Sequence, residues 1–425
     1  MALIKREYKD QETVITAENL NDIQDAVIAL EDGLFSIDND KSGEIIAITD
    51  AAKRGFRSMN IYGKSTQAGT PTPDAPVELV SVENPVIGLY GKNLFTAYTD
   101  SSKTENGISF SVNGNGSITI NGAATGSAQF NMFALYELPP SVRPGATYII
   151  SGATSIATIH VYEMKDSWVR IADTASETSF VLSADATGVL IRYVVQPNTT
   201  VNNLTVYPML RLASIADNTY EQSKPAQTAM FYLTLRGIPV TSGGNYTDAN
   251  GQQWVCDEVD FARGVFIRRV GSVVLNGGEP WSYQGNALYF YTPIHDRKPG
   301  TNLWCDRLPH VRLISTETPG WWADDASNNI FAATGFVKSG LATTLEAFKA
   351  YLAEHPIVLL YVLETPIETP LSTEELAAYA ALYTYKEHTT VSNDAGAWME
   401  LEYSMDAKKY IDSLALGGIV PATVE

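Results

Sequence analysis

Residues 108–120, ISFSVNGNGSITI, read as two short strands folded back on one another. Ile108, Phe110 and Val112 alternate with serines, residues 113–116 supply Asn-Gly-Asn-Gly, and Ile118 and Ile120 resume the alternation. Period-two patterning on both sides of an Asn-Gly turn is the strongest short-range signal of a β-hairpin. Outward from this hairpin the same pattern recurs. Strands are expected at 129–136, 147–151, 156–164, 168–172, 178–182, 189–195 and 204–210, with turns at Pro144-Gly145 and Pro197-Asn198. Short strands at a spacing of roughly 8–12 residues point to a two-sheet jelly roll.

Upstream, strands are expected at 58–63 and 77–82, on either side of a stiff Pro/Thr-rich loop, residues 66–76, whose prolines remove backbone donors. Downstream, 230–235 begins a second β-rich stretch with turns at Asn250-Gly251 and Arg263-Gly264, and Trp254 is assigned to its interior. Two capping boxes follow, Thr343 with Glu346 and Ser372 with Glu375. The first opens a helix with an apolar face of Leu345, Phe348 and Leu352. Between the boxes, residues 357–363 form a continuous apolar run, read as a buried strand. From Ser404 a short helix is expected to expose Tyr410, Ile411 and Leu414.

The N-terminus differs from all of this. Leu20, Ile23, Val27, Leu30, Leu34 and Ile37 recur at spacings of three and four behind Thr16, a good N-cap. Such a stripe must find partner helices, so it reads as a short oligomerising coiled coil, compatible with a trimer. Asp38, Asp40, Ser42 and Gly43 then mimic the start of a calcium loop. Thr49 stands where the bidentate Glu belongs, and a plain polar turn is the simpler reading.

Composition narrows the function. The net charge of −19 and the lack of a Lys/Arg cluster argue against nucleic acid, with Arg268-Arg269 read as strand surface. Charged residues make up 18% of the chain, below the roughly 25% of ordinary globular proteins. No stretch resembles a signal peptide or a membrane span. Cys256 and Cys305 carry no CxxC context and read as two buried thiols, with a disulfide as the alternative. The five histidines form no metal-ligating motif, and no P-loop, GxSxG elbow or dinucleotide fingerprint occurs. No catalytic residue, metal or cofactor is therefore expected. Aromatic side chains are the better lead, because Trp and Tyr planes stack on the apolar faces of sugars. The candidates are Trp168 beside a turn at Lys165-Asp166, and Trp281, Tyr283, Trp321 and Trp322 in the least regular segment. Trp321 and Trp322 cannot both point to one face of a strand.

Several segments also resemble phage proteins. IYGKSTQAGTPTPDAPVELVSV (61–82) followed by GKNLF (91–95) is one. PMLRLASIADNTYE (208–221), GGNYTDANGQQWVCDEVDFARGV (243–265) and TPIETPLSTEELAAYAAL (365–382) are others. They are similar to parts of minor tail, baseplate and tail-fibre proteins from phages and prophages of Gram-positive gut bacteria. The resemblance implies that the jelly roll is an insertion in a split carrier domain. It also implies a virion location after assembly in the host cytoplasm, and partners among other tail proteins. Jelly rolls of this kind resemble carbohydrate-binding modules, which implies contact with a cell-wall polysaccharide or surface glycan.

The expectation is thus a mainly β chain of four parts. Residues 1–55 attach and oligomerise, 56–84 plus 225–370 form the carrier, 85–224 the inserted sandwich, and 371–425 a C-terminal helix, strand and tail. The expected function is a homotrimeric receptor-binding tail-fibre or baseplate protein, making no contact with membrane or nucleic acid. A purely architectural connector and a secreted bacterial carbohydrate-binding protein are the rivals. A depolymerase tailspike is a weaker one, since no β-helix repeat is visible.

Overall fold

The computed structural model describes residues 36–48, 53–301, 303–311, 315–323, 327–385 and 388–405, with backbone alone at 36–43, 53–58 and 402–405. The chain is mainly β, with three short helices among the described residues, Gly335–Lys338, Leu345–Glu354 and Thr373–Ala380. The opening hairpin forms with Val112 opposite Ile118 and Phe110 opposite Ile120. Gly116 closes its loop at φ +78°, a left-handed conformation that favours glycine.

Residues 94–215 enclose one apolar core. One wall of it is a four-stranded antiparallel sheet in the order Ala128–Leu135, Gly188–Val195, Thr158–Met164 and Trp168–Thr174. Two further sheets contribute to the same core: Thr200–Val206, Ile118–Ala123, Ile108–Val112 and Lys103–Glu105, and the smaller Thr178–Val181, Thr147–Ser151 and Met209–Leu212. Alternate residues such as Phe130, Ile159, Ile191 and Tyr193 point inward and are fully buried. The strand expected at 204–210 is broken at Tyr207-Pro208, because proline offers no N–H to the ladder.

The chain leaves for this sandwich at the end of Val86–Tyr90 and comes back into Gln227–Met230. These two strands are antiparallel neighbours, with Gln227 opposite Leu89. Their sheet continues through Thr389–Asn393 to Ile45–Ile48. Its two faces serve different cores. Ile46, Ile48, Ile87, Leu89 and Val391 join a second core with Met59, Ile61, Phe231, Val259, Phe261, Met399 and Leu401. Ala47 and Tyr90 turn the other way, to the sandwich.

Beside the second core runs a seven-stranded sheet: Ser36–Gly43, Trp398–Met405, Lys53–Tyr62, Glu258–Asp260, Val265–Leu275, Ile357–Pro370 and Leu303–Cys305. A third core gathers Trp281, Phe290, Leu303, Trp321 and Phe336 around the helix Leu345–Glu354, which contributes Phe348 and Leu352.

Several sequence expectations need correction. Ile37 is in a strand opposite Tyr403, so the helical seam does not reach it; Leu20, Ile23, Val27, Leu30 and Leu34 lie outside the described residues. Asp38, Asp40 and Ser42 share that strand, where a polar turn was expected. Residues from 371 onward are no separate unit, since Leu371, Val391, Met399 and Leu401 lie in the carrier's core. The strand Trp398–Met405 takes up Ser404, where a helix was expected to start; Tyr410, Ile411 and Leu414 lie outside the described residues. The helix cap is Thr344, whose hydroxyl accepts from the Ala347 N–H at 3.1 Å, and not Thr343. The second capping box, Ser372 with Glu375, is formed. Cys256 and Cys305 are separate buried thiols.

Candidate functional site

The outer face of the sandwich sheet containing Trp168 gathers aromatic and polar side chains. Cross-strand partners share a face, so the register places Met164 with Trp168, Tyr162 with Arg170 and His160 with Asp173 on the side away from the core. Arg192 lies between Asn131 and His160 in the same layer. At the end of the sheet, Tyr136 follows Leu135 and is 69% exposed. Its ring centroid is 5.5 Å from that of Trp168, tilted by 58°. Gly188 lies under this end of the sheet, and a Cβ there would meet the Leu135 carbonyl oxygen at 2.5 Å. A bare backbone at Gly188 therefore lets the end of the neighbouring strand, which carries Tyr136, close in.

Behind the aromatic pair runs a continuous polar chain. Arg192 donates from Nη1 to Gln129 Oε1 at 2.6 Å and from Nη2 to the Tyr162 hydroxyl at 2.9 Å, with its guanidinium 4.9 Å from the Tyr162 ring centre. Arg192 Nε is buried without a protein partner. Tyr162 Oη also lies 3.4 Å from His160 Nδ1, and His160 Nε2 is 3.3 Å from Asp173 Oδ1. Arg170 holds the other oxygen of Asp173 at 3.1 Å. Burial pushes the His160 imidazole below its usual range, against the pull of Asp173. Beside Trp168, Lys165 bridges Glu163 at 3.4 Å and Asp185 at 3.0 Å. Burial raises the Glu163 carboxyl, but the Ser183 N–H and hydroxyl and Lys165 together hold it below its ordinary value. Asp173 and Glu163 are thus both occupied in holding neighbours in place. Among the described residues, no group of three or more His, Cys, Asp or Glu side chains is placed to hold a metal ion.

The five aromatic candidates separate. Trp168 is half-buried on the face just described. Trp321 is fully buried, its indole N–H donating to Cys305 Sγ at 3.1 Å, and Trp281 is buried with its N–H on Glu279 Oε2 at 2.8 Å. Both are core residues of the third cluster and cannot stack on a ligand. Tyr283 is half-buried and stacked on Phe290 at 4.8 Å. Trp322 points to the opposite strand face from Trp321, half-buried against Phe331 at 4.8 Å. The structure brings none of these four near Trp168; the residue it does bring there is Tyr136. Alternation from Phe130 and Met132 would turn Tyr136 inward, but an irregularity between Asn131 and Phe133 reverses the parity.

Two of the segments quoted above, 91–95 and 208–221, also meet. Lys92, from residues 91–95, donates to Asp217 Oδ2 at 2.6 Å, and Asn93 Nδ2 to the Glu221 carbonyl at 3.1 Å, both within residues 208–221.

No family model matches the chain, and no curated protein matches it. Among solved structures, it is similar to the infectious bursal disease virus VP2 subviral particle at 9% identity and a TM-score of 0.12, over 85% of this chain and 68% of that one. A second similarity, to the T13 particle of the same virus, has 8% identity and a TM-score of 0.08, over 94% of this chain and 92% of that one. Scores this low carry no argument about fold or function.

Proposed function

We propose that this chain is a receptor-binding structural protein of a bacteriophage tail fibre or baseplate, whose inserted jelly roll presents the Tyr136–Trp168 face to a host cell-surface glycan. The observation that carries the reading is the solvent-facing aromatic pair beside the Gln129–Arg192–Tyr162–His160–Asp173 chain. An indole and a phenol at one sheet end offer apolar area at small entropic cost, and rigid polar neighbours orient hydroxyls. The phage-like segments and the N-terminal apolar seam support a virion location and a homotrimer docked to other tail proteins. Weak single sites then combine, and three-fold attachment adds roughly 10²–10⁴ to binding without new contacts.

The test is binding of the full-length protein to a glycan array and to host cells. Trp168→Ala and Tyr136→Ala should each weaken single-site binding by about 1–2 kcal/mol, roughly 5–30-fold, with the oligomer's mass unchanged. Absence of binding by the intact oligomer would favour the architectural connector.

A further inference from the structure

A second cleft, on the carrier, is built from residues that the sandwich face does not use. It encloses about 230 Å³ between Arg236, Arg268, Ser272, Asp296 and Tyr361, with the apolar Val270 and Leu363 also in its lining. Its shape comes from a break in strand pairing. Along Val265–Leu275 and Ile357–Pro370, Arg268 is opposite Ile367, but Val270 is already opposite Val362. Several residues of one strand thus bulge out against one of the other, and bulges of this kind re-aim side chains at functional sites. Gly271 completes the arrangement. A Cβ there would fall 2.4 Å from Tyr361 Cζ, so only a bare backbone lets the ring lie across the strand. The Tyr361 hydroxyl then donates to Asp296 Oδ1 at 3.0 Å and fixes that carboxylate at the cleft.

The charge pattern is unusual for this chain, which has 48 acidic against 29 basic residues. The neighbouring arginines are neutralised: Arg263 pairs with Glu368 and Arg269 with Glu258, both at 2.6 Å. Arg236 and Arg268 form no ion pair among the described residues, although they line the same cleft. Arg236 is near enough to pull the Asp257 carboxyl down, and Asp296 shares the cleft, but neither guanidinium is locked in an ion pair, and two such planar forks match the phosphate or carboxylate geometry of an anionic ligand. Ser272 and Asp296 can serve the hydroxyl groups that such a ligand carries, the latter as acceptor only.

We propose that this cleft binds an anionic saccharide, with its phosphate or carboxylate held between Arg236 and Arg268 and its hydroxyls on Ser272 and Asp296. The site goes beyond the sandwich reading and shares no residue with it, so either can fail alone.

Isothermal titration of the full chain tests it at an ionic strength of about 10 mM, where screening is weak. Glucuronate and glucose 6-phosphate are the two anionic probes and glucose the neutral one. At least one anionic probe should bind saturably and glucose should not; which one binds identifies the charged group. Arg268→Gln and Arg236→Gln should each weaken binding at least tenfold, while Arg268→Lys, keeping charge without the fork, should fall between. Arg268 is exposed, so its variants keep the fold, which an unchanged melting midpoint verifies. The proposal is overturned if neither anion binds, if glucose binds equally well, or if Arg268→Gln binds like the unaltered chain.

Discussion

Removing Asp217 should loosen the joint between sandwich and carrier. The Lys92 ammonium is the buried member of a three-sided clasp, with only 2% of its side chain exposed. It donates to Asp217 Oδ2 at 2.6 Å and to the Thr219 hydroxyl at 3.1 Å. His388, from the carrier, reaches the same carboxylate oxygen at 3.0 Å. Stranding a buried charge costs about 3–5 kcal/mol. Asp217 is itself 32% exposed and Thr219 stays behind, so the expected cost of Asp217→Ala is smaller, roughly 2–3 kcal/mol. In scanning calorimetry that corresponds to a fall of about 4–12 °C in the midpoint of a unit this size. Lys92→Met added to Asp217→Ala should bring stability back to within about 1 kcal/mol, because a neutral pair leaves no charge buried. The Lys92 hydrogen bond, foremost, holds the Asp217 carboxyl well below the usual carboxylate range. A depressed carboxyl contributes stability above its unfolded value, so the contribution is complete at neutral pH and fades as pH drops below about 4. A shift under 2 °C for Asp217→Ala, or a double variant no better than the single one, would refute the clasp.

Trp321→Ala should cost about 3–5 kcal/mol and disrupt the third core, whereas Trp322→Ala, half-buried on the opposite face, should cost clearly less; urea midpoints compare them. Asp257 is fully buried, and burial pushes its carboxyl up to about 6 even though the backbone N–H groups of Arg236, Arg269 and Val270 donate to it. The folded chain therefore holds a proton there that the unfolded chain has lost between about pH 4 and 6. Stability should fall by roughly 3 kcal/mol as pH rises through that window, a slope that Asp257→Asn removes. Unfolding curves collected across the window for both proteins check the sign as well as the size.

Legibility in the sequence followed the range of the forces involved. Local patterns were readable: the 108–120 hairpin, the Ser372–Glu375 box and the buried run after Ile357 each depend on residues within a few positions of one another. What stayed hidden was set by distant partners. Ile37 fits a helical repeat, yet its strand pairs with residues more than 350 positions away. Trp281 and Trp321 sit in an irregular segment that sounded like surface, but helix Leu345–Glu354 covers them, with Phe348 4.9 Å from the Trp281 ring. Trp168 was legible as a candidate because an aromatic beside a polar turn stands out. Its companion Tyr136 was not, since one irregularity in the ladder decides which face it takes.

The joint also explains how one chain carries two cores without merging them. The sheet of Val86–Tyr90, Gln227–Met230, Thr389–Asn393 and Ile45–Ile48 gives isoleucine, leucine and valine to the carrier, so that face is held by apolar burial. Toward the sandwich it adds directional bonds to the apolar contacts of Ala47 and Tyr90. Arg143 Nη1 donates to the Asp394 carbonyl at 2.8 Å, the Ser392 hydroxyl donates to the Pro140 carbonyl, and His388 meets Asp217. Buried polar atoms without protein partners, Thr390 Oγ1, Asn393 Nδ2, His388 Nδ1 and Arg143 Nε, concentrate around the same joint. Atoms of this kind are ordinarily satisfied by internal water. A hydrogen-bonded seam is specific about orientation but contributes less than an apolar interface of equal area. Because the strands leading out and back are already paired, the carrier closes its own sheet whatever lies between Tyr90 and Gln227. Between those paired strands, the named bonds of Arg143, Ser392 and His388 tie residues 91–226 to the sheet.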